Sequence, residues 1–309
     1  MRHWCVMVLC AELAVGCVAP GGTTTGPGAG PPMLQERVEK GEGAGGGGAV
    51  PSAELQAEVN RYRAEAAQDP TDAQRRHRLA TALFRAGETE AARGEWEKAV
   101  ELDPSFAKAH YNLGVCLYSL GQVDEAERHW LATVALEPAN ASAHYNLGVL
   151  RHNAGDLAGA VEQYRRTLTI SPGHLKAQVN LGLALANQKE LAQAKEIWEQ
   201  ALAQNPQCFN ASYNLGVLCQ QSNDMGGAVQ YWKRATEVPA EKVAEEMGDP
   251  AASQRVRALA FYNLGVAAEE AGDLATAVRY YAQALVLDDT NSLIRQAWRS
   301  AVRERRMGF

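Results

Sequence analysis

The chain has 309 residues, of which 46% are hydrophobic and 21% are charged. Its formal net charge is −6, so it has no overall basic field of the kind that nonspecific nucleic-acid binding requires. No apolar run reaches the roughly 20 residues that a membrane-spanning helix needs. We therefore expect a soluble chain, apart from what its N-terminus does.

Residues 1–16 are typical of a short secretory signal, with one arginine ahead of a compact apolar segment. The run at residues 13–17, with the sequence LAVGC, resembles a bacterial lipobox. That resemblance implies that Cys17 is lipidated and becomes the first residue of the mature protein. Glu12 and Ala14 depart from the pattern, which leaves an ordinary cleaved signal or an uncleaved N-terminus as alternatives.

Residues 17–51 would follow such an anchor as a disordered tether. They are rich in Gly, Pro and Thr, a composition that cannot bury enough apolar surface to fold. As a random coil the segment would span on the order of 30 Å. A plain disordered tail without an anchor would have the same composition. Val18 stands where an aspartate would resemble inner-membrane sorting, so the lipoprotein resemblance implies the outer membrane.

Residues 52–70 are predicted to form a single N-terminal capping helix. Ser52 is a suitable N-cap for it. Leu55, Val59 and Tyr62 recur at helical spacing. Because the repeats described next begin directly after this segment, we expect the helix to cover the exposed edge of the first one.

The stretch 107–206 repeats one pattern three times at a spacing of 34 residues. Counting from Ala107 as repeat position 1, each copy has Leu-Gly at positions 7 and 8, Ala at 20, an aromatic ring at 24 and Pro at 32. In the first copy of this stretch these residues are Leu113, Gly114, Ala126, Trp130 and Pro138. A period of this length is typical of helix-turn-helix repeat arrays.

The recurring residues have physical reasons. Gly at position 8 and Ala at position 20 let the two helices of one hairpin approach closely, and the large ring at position 24 fills the gap between them. Pro at position 32 lacks an N–H group and ends the second helix. Since one hairpin cannot bury its apolar face alone, stacked copies must share a continuous core. The pattern therefore predicts an all-α solenoid.

At these residues the chain resembles the tetratricopeptide repeat family, whose fold is a right-handed α-solenoid. The resemblance extends over residues 73–291 and implies a capping helix at each end. Its six copies span residues 73–106, 107–140, 141–174, 175–208, 209–240 and 258–291. Arg76, Gln178 and Ser212 depart from the family pattern, because they replace the large apolar residue at position 4.

Residues 241–257 interrupt the series between the fifth and sixth copies. Glu241, Glu245 and Glu246 predict an acidic extension of the preceding helix, which the Gly-Asp-Pro run at 248–250 then breaks. Insertions in repeat arrays fall in loops on one face. This segment is therefore either a partner contact or a tolerated insertion without a function.

Residues 292–309 are predicted to form the C-terminal capping helix. Its apolar residues can pack on the sixth copy, whereas Arg295, Arg299 and Arg303 recur every four residues on another side. A terminal cap needs a polar outer face, and cations suit the C-terminal end of a helix. The same arginine stripe could instead touch anionic lipid or an acidic partner.

No residue pattern indicates catalysis, a metal or a bound cofactor. Cys116, Cys208 and Cys219 are predicted to be buried thiols rather than a disulfide framework. His110 and His144 are one repeat apart instead of three or four residues, so they are predicted to fill the core. No phosphate loop, serine elbow or Cys-His dyad stands out. The sequence therefore predicts a protein that is not an enzyme and has no small-molecule substrate.

One face of the first helix of each repeat is available as a binding surface. In the family this face lines a concave groove, so the resemblance implies a peptide or partner helix bound there. The predicted groove residues are Tyr111, Asn112, Val115, Tyr145, Asn146, Val149, His152, Asn180, Leu183, Tyr213, Asn214, Val217, Tyr262 and Asn263. They make an aromatic, amide-lined floor with little charge. Because Tyr-Asn-Leu-Gly is also close to the family consensus, ordinary repeat packing is the alternative for part of this pattern.

These features predict a non-catalytic protein–protein interaction scaffold. With the anchor on Cys17, the chain resembles tetratricopeptide repeat lipoproteins of the type IV pilus pilotin and gliding-motility kind. That resemblance implies the periplasmic face of an outer membrane, or otherwise the periplasm, and a role in assembling a pilus, secretin or gliding-motility machine. Without the anchor, the chain would be a soluble adaptor that binds a peptide or helix. An envelope enzyme with a repeat recognition arm is a third hypothesis, but no segment offers a catalytic domain.

Overall fold

The computed structural model describes residues 53–307. The predicted signal, Cys17, the tether and Ser52 lie outside the described residues. The described residues form fifteen α-helices and contain no β-strand. They divide after Pro172 into two compact units.

The first unit contains seven helices. They are α1 (Ala53–Gln68), α2 (Ala73–Arg85), α3 (Thr89–Leu102), α4 (Ala107–Ser119), α5 (Val123–Leu136), α6 (Ala141–Asn153) and α7 (Leu157–Ile170). Helices α2 and α3, α4 and α5, and α6 and α7 pack as hairpins, and each hairpin packs on the next. Helix α1 packs on α2 and buries Val59 and Ala66.

The second unit contains eight helices. They are α8 (Leu175–Asn187), α9 (Leu191–Gln204), α10 (Phe209–Gln221), α11 (Met225–Glu237), α12 (Ala240–Met247), α13 (Pro250–Glu270), α14 (Leu274–Leu287) and α15 (Ser292–Met307). Helices α8 and α9, α10 and α11, and α13 and α14 pack as hairpins. Helix α15 packs on α14 and buries Ile294 and Ala301. In both units, therefore, consecutive helix pairs stack as the repeat pattern predicts.

The turn inside each hairpin needs a residue with a left-handed backbone. Four copies place Gly at this point, with φ between 78° and 81°. Glycine adopts such angles without strain because it lacks a β-carbon. Lys189 and Asn223 take the same place in the fourth and fifth copies, with φ of 69° and 60°. The turn geometry is thus kept even where the residue changes.

The glycine at repeat position 8 lies directly under the aromatic ring at position 24. A β-carbon added to any of the five glycines at this position would come within 2.4–2.7 Å of that ring. The ring nitrogen of Trp130 also donates a hydrogen bond to the Tyr111 carbonyl, and that of Trp198 donates to the Val179 carbonyl. Each ring is therefore fixed against the first helix of its own hairpin. This contact explains why each copy with a glycine at position 8 has a large aromatic ring at position 24.

Polar side chains replace the usual apolar residue at repeat position 4 in the first three copies. Arg76 pairs with Glu95 at 2.8 Å. Nδ1 of His110 lies 3.0 Å from Nδ1 of His129, and Nδ1 of His144 lies 2.8 Å from the side-chain amide of Gln163. Each partner stands 19 residues later, on the second helix of the same hairpin.

The same three side chains also hold the end of the preceding helix. Arg76 donates to the carbonyl of Pro70 at 3.1 Å. The Nε2 atoms of His110 and His144 lie 3.2 Å and 3.1 Å from the carbonyls of Pro104 and Pro138. His110 and His144 were predicted to fill the core, and both are buried there as hydrogen-bonded links between neighbouring elements.

The inserted segment is not an extension of the preceding helix. Helix α11 ends at Glu237, and Pro239 starts the separate short helix α12, because proline fixes φ and cannot continue the helical hydrogen bonds. Residues 250–257 then lengthen the first helix of the sixth copy, α13, at its N-terminal end.

Glu246 of α12 caps the N-terminus of α10. Its carboxylate accepts hydrogen bonds from the backbone N–H groups of Phe209 and Asn210, both at 2.9 Å, and from the Cys208 thiol at 3.3 Å. A carboxylate at a helix N-terminus satisfies backbone donors and also opposes the positive end of the helix dipole. The insertion therefore has a structural role in the second unit.

Candidate functional site

In the first unit, the predicted groove residues lie on α4 and α6. Tyr111, Asn112 and Val115 belong to α4, and Tyr145, Asn146, Val149 and His152 belong to α6. All seven are buried, with at most 9% of the residue surface exposed. Because so little of each ring is exposed, the tyrosines here cannot offer a partner the broad apolar area of an open groove floor.

In the second unit, the predicted groove residues lie on three first helices and are likewise buried. Asn180 and Leu183 belong to α8; Tyr213, Asn214 and Val217 to α10; and Tyr262 and Asn263 to α13. The structure brings two of them into direct contact, since the Asn263 amide donates to the Tyr213 hydroxyl at 3.3 Å. This bond joins the first helices of the fifth and sixth copies.

The tyrosines at repeat position 5 contribute to packing inside their own hairpins. Tyr145 lies against Tyr164, with ring centroids 6.0 Å apart, and Tyr262 lies against Tyr281 at 5.7 Å. Tilted aromatic pairs at such distances stabilise a core beyond the area that they bury. The packing alternative therefore accounts for much of the tyrosine row.

The asparagines at position 6 differ from the tyrosines, because two of them have an unsatisfied donor. In the described part of the chain, the buried Nδ2 atoms of Asn146 and Asn214 have no hydrogen-bond partner. An unpaired buried donor costs about 1–3 kcal/mol of folding free energy. These two amides are therefore donors at predicted groove positions that still lack an acceptor among the described residues.

Repeat position 12 adds a residue that the sequence analysis did not select. Tyr118 is buried on α4, its ring lies 5.8 Å from that of Trp130, and it interacts with Asn153 of α6. Burial raises the pKa of its hydroxyl, so Tyr118 acts as a neutral hydrogen-bonding group. The sequence could have identified Tyr118 through its repeat position, because His152, a predicted groove residue, occupies the same position in the next copy.

Two histidines of the first unit have lowered pKa values. Burial lowers the pKa of His152 below its usual value. His129, on α5, has a pKa lowered to about 4 by burial and by the neighbouring His110. Neither side chain is charged near neutral pH.

The described residues contain few features that suggest other chemistry. Within residues 53–307, no three His, Cys, Asp or Glu side chains are arranged as metal ligands would be. The three repeat cysteines are buried, and burial raises the pKa of the Cys116 thiol to about 12. No helix in this part of the chain is both long enough and apolar enough to span a membrane.

Family models describe most of the repeat region as tetratricopeptide repeat. They match residues 77–133, 117–174, 151–210 and 258–291, which together make up more than half of the chain. No curated protein sequence matches the chain.

Several solved structures are similar to this one. PilF of Pseudomonas aeruginosa is 22% identical, with a TM-score of 0.56, over 81% of this chain and 99% of that protein. PilW, described as a widely conserved type IV pilus biogenesis factor, is 19% identical, with a TM-score of 0.58, over 72% and 97%. YrrB, described as having an unusual peptide-binding site, is 23% identical, with a TM-score of 0.53, over 58% and 93%. At these identities the likeness establishes a shared fold.

Proposed function

The chain belongs to the tetratricopeptide repeat family, and we propose that it is a lipid-anchored scaffold that holds a protein partner in a cell-envelope machine. Proteins of this family are generally non-catalytic interaction scaffolds. The finer proposal has two parts, a binding surface on the first helices and an anchor on Cys17. Each part has its own support and its own test.

The observation that supports the binding surface most directly is the unsatisfied amide at repeat position 6. Asn146 and Asn214 each bury an Nδ2 donor without a partner in the described residues. Both stand at the same repeat position, and a backbone carbonyl of a bound segment would remove the cost of leaving them unpaired. Asn263 serves as the internal comparison, because its amide is already bonded to Tyr213.

The partner that suits these donors is an extended peptide or a helix end with free carbonyl groups. Carboxamides bind main-chain carbonyls regardless of sequence. The fold likeness to YrrB, whose structure was reported with a peptide-binding site, supports the same class of ligand. The buried surroundings mean that the bound segment must enter closely between side chains rather than lie on an open floor.

The proposed machine is one of the type IV pilus, secretin or gliding-motility kind. PilF and PilW share the fold over most of this chain, and PilW is described as a pilus biogenesis factor. The lipobox-like sequence that ends at Cys17 and the following Gly/Pro-rich segment supply the anchor and the tether that such a role at the outer membrane would use.

Site-specific photocrosslinking in cells that express the full chain tests the binding surface. Lys108 is exposed and stands at repeat position 2, which shares a helix face with position 5. A photoreactive residue at Lys108 is expected to capture one protein, and Asn146→Ala is expected to abolish that capture. A photoreactive residue at Arg128, exposed on α5, is the matched control and is expected to capture nothing specific. Capture from Arg128 but not from Lys108 would reject the surface.

Fractionation and acyl labelling test the anchor. The native chain is expected to sediment with outer membranes and to incorporate a labelled fatty acid, and Cys17→Ser is expected to lose both properties. A Cys17→Ser chain that still sediments and takes up label would reject lipidation at this residue. If the native chain is soluble and unlabelled while Lys108 still captures a partner, the soluble adaptor is the correct function.

A further inference from the structure

The last helix presents a row of arginines on one face. Helix α15 buries Ile294 and Ala301 against α14, which fixes the orientation of the helix. Its five arginines are Arg295, Arg299, Arg303, Arg305 and Arg306, and all five are exposed. Four of them, Arg295, Arg299, Arg303 and Arg306, lie within about 80° of one another around the helix axis, and we call these four residues the arginine face. Spacings of four residues place Arg295, Arg299 and Arg303 about 6 Å apart along the helix axis.

Within residues 53–307 the arginine face has no acidic partner. None of its four side chains forms an ion pair there, although Arg295 donates to the backbone carbonyl of Asp289. The N-terminal helices contrast with this arrangement. Between residues 53 and 103 every arginine and lysine lies within 4 Å of a carboxylate. The N-terminal helices therefore neutralise their cations, whereas the four arginines of this face have no counter-charge among the described residues.

The charge of α15 is also opposite to that of the whole chain. Five arginines and one glutamate give the helix a formal charge of +4, whereas the chain as a whole carries −6. Glu304, the single acid of the helix, is bonded to Ser300. Such a concentrated positive face attracts anionic surfaces within about one Debye length, roughly 10 Å at 0.1 M salt.

We propose that the arginine face is a docking surface for the anionic phosphate headgroups of a lipid bilayer. Guanidinium groups bind phosphate oxygens in a bidentate manner, and each arginine near an anionic membrane strengthens binding by about fivefold. An acidic protein is the less suitable occupant, because protein interfaces usually combine arginine with a buried aromatic anchor. Trp298, the aromatic residue of this helix, instead packs inward against the cluster around Ile294 and Ala301.

This docking surface is distinct from the proposed anchor, although both would bring the chain to a membrane. The arginine face would act through charge, so its binding must weaken with added salt and require anionic lipid. An acyl chain on Cys17 would insert into neutral bilayers as well. Full-length protein that carries Cys17→Ser therefore isolates the contribution of α15.

Vesicle flotation of the full-length Cys17→Ser protein tests the proposal. We expect binding to vesicles of phosphatidylcholine with phosphatidylglycerol, little binding to phosphatidylcholine alone, and release at high salt. Adding Arg299→Gln, Arg303→Gln and Arg306→Gln together is expected to lower the vesicle partition coefficient by roughly 100-fold. Circular dichroism and thermal unfolding of the variant check that α15 remains folded.

The matched control removes three equally exposed arginines from other helices. Arg61→Gln, Arg128→Gln and Arg166→Gln change the net charge by the same amount and are expected to leave vesicle binding almost unchanged. Equal losses in the two triple variants would overturn the proposal, because net charge would then explain the binding. Equal binding to neutral and anionic vesicles would also overturn it. Tight binding to polyglutamate without a preference for anionic vesicles would assign the face to an acidic protein.

Discussion

A β-carbon added to Gly182 would lie 2.4 Å from Nε1 of Trp198. That ring nitrogen donates to the Val179 carbonyl at 3.0 Å, and the whole side chain is buried. The ring therefore has no room to move aside without breaking a buried hydrogen bond. The absence of a side chain at residue 182 is thus a direct requirement of the ring that faces it.

We expect Gly182→Ala to destabilise the protein by about 1–3 kcal/mol, because overpacking exceeds the gain in helix propensity. Gly94→Ala is the matched control, since Gly94 also lies in a helix but a β-carbon there would have no neighbour within 4 Å. That substitution should stabilise the protein by roughly 0.5–1 kcal/mol. Urea unfolding measures both effects. Equal stability of the two variants would contradict the packing explanation.

We expect stability to depend on pH through His129. Burial and the neighbouring His110 lower its pKa to about 4 from the ordinary value of 6.5, so the unfolded chain binds the proton more readily than the folded one. The stabilisation is therefore complete above about pH 6.5 and declines as the pH falls toward 4. The full shift corresponds to about 3 kcal/mol, and solvent screening of the partly exposed ring reduces the expected loss to about 1–2 kcal/mol.

The comparison of wild type with His129→Gln measures this dependence. Glutamine keeps a side-chain donor near His110 but does not titrate, so unfolding free energies measured from pH 7 to pH 4 should decline less steeply for the variant. Identical pH profiles for the two proteins would show that His129 is not responsible.

We expect Glu246→Gln to destabilise the second unit by about 1–2 kcal/mol, because a helix N-terminus loses a charged cap. Hydrogen exchange should accelerate at the amides of Phe209 and Asn210, which donate to Glu246. Glu245→Gln removes the same charge from an exposed neighbour on the same helix and should change stability by less than about 0.5 kcal/mol. If both variants lose the same stability, the cap is not the cause.

We expect Asn146→Ala and Asn263→Ala to differ in stability. The Asn263 amide donates to Tyr213, so its removal should cost about 1–2 kcal/mol. Removal of the Asn146 side chain also removes an unpaired buried donor, so the cost should stay below about 1 kcal/mol. Chemical unfolding of the two variants decides this point. A larger loss for Asn146→Ala would mean that its amide is already satisfied in the isolated protein.

The sequence predicts the helix hairpins well because their signal recurs every 34 residues. Gly114 and Trp130 illustrate this, since the contact between them returns in each later copy. The polar pairs at repeat position 4 carry no such signal. Their chemistry changes from Arg76–Glu95 to His110–His129 and then to His144–Gln163, so a search for recurring residues overlooks them.

The cap formed by Glu246 was equally inaccessible from the sequence. Its partners lie 36 to 38 residues away, and the insertion has no counterpart in the other copies to serve as a template. The predicted groove shows a different limit. Repeat positions identify which helix face a residue such as Tyr145 occupies, but not how closely neighbouring elements cover that face. The sequence therefore left ligand contact and repeat packing as alternatives for the tyrosine row, and its rings are buried in the structure.

The polar pairs that link the two helices of a hairpin have an evolutionary consequence. Recombination between copies that joined α2 to α5 would put Arg76 opposite His129, and joining α2 to α7 would put it opposite Gln163. Those mismatches would leave the partly buried charge of Arg76 without a counterion. Crossovers that fall between hairpins keep every pair intact. In the first three copies, whole hairpins can therefore be duplicated or exchanged more readily than single helices.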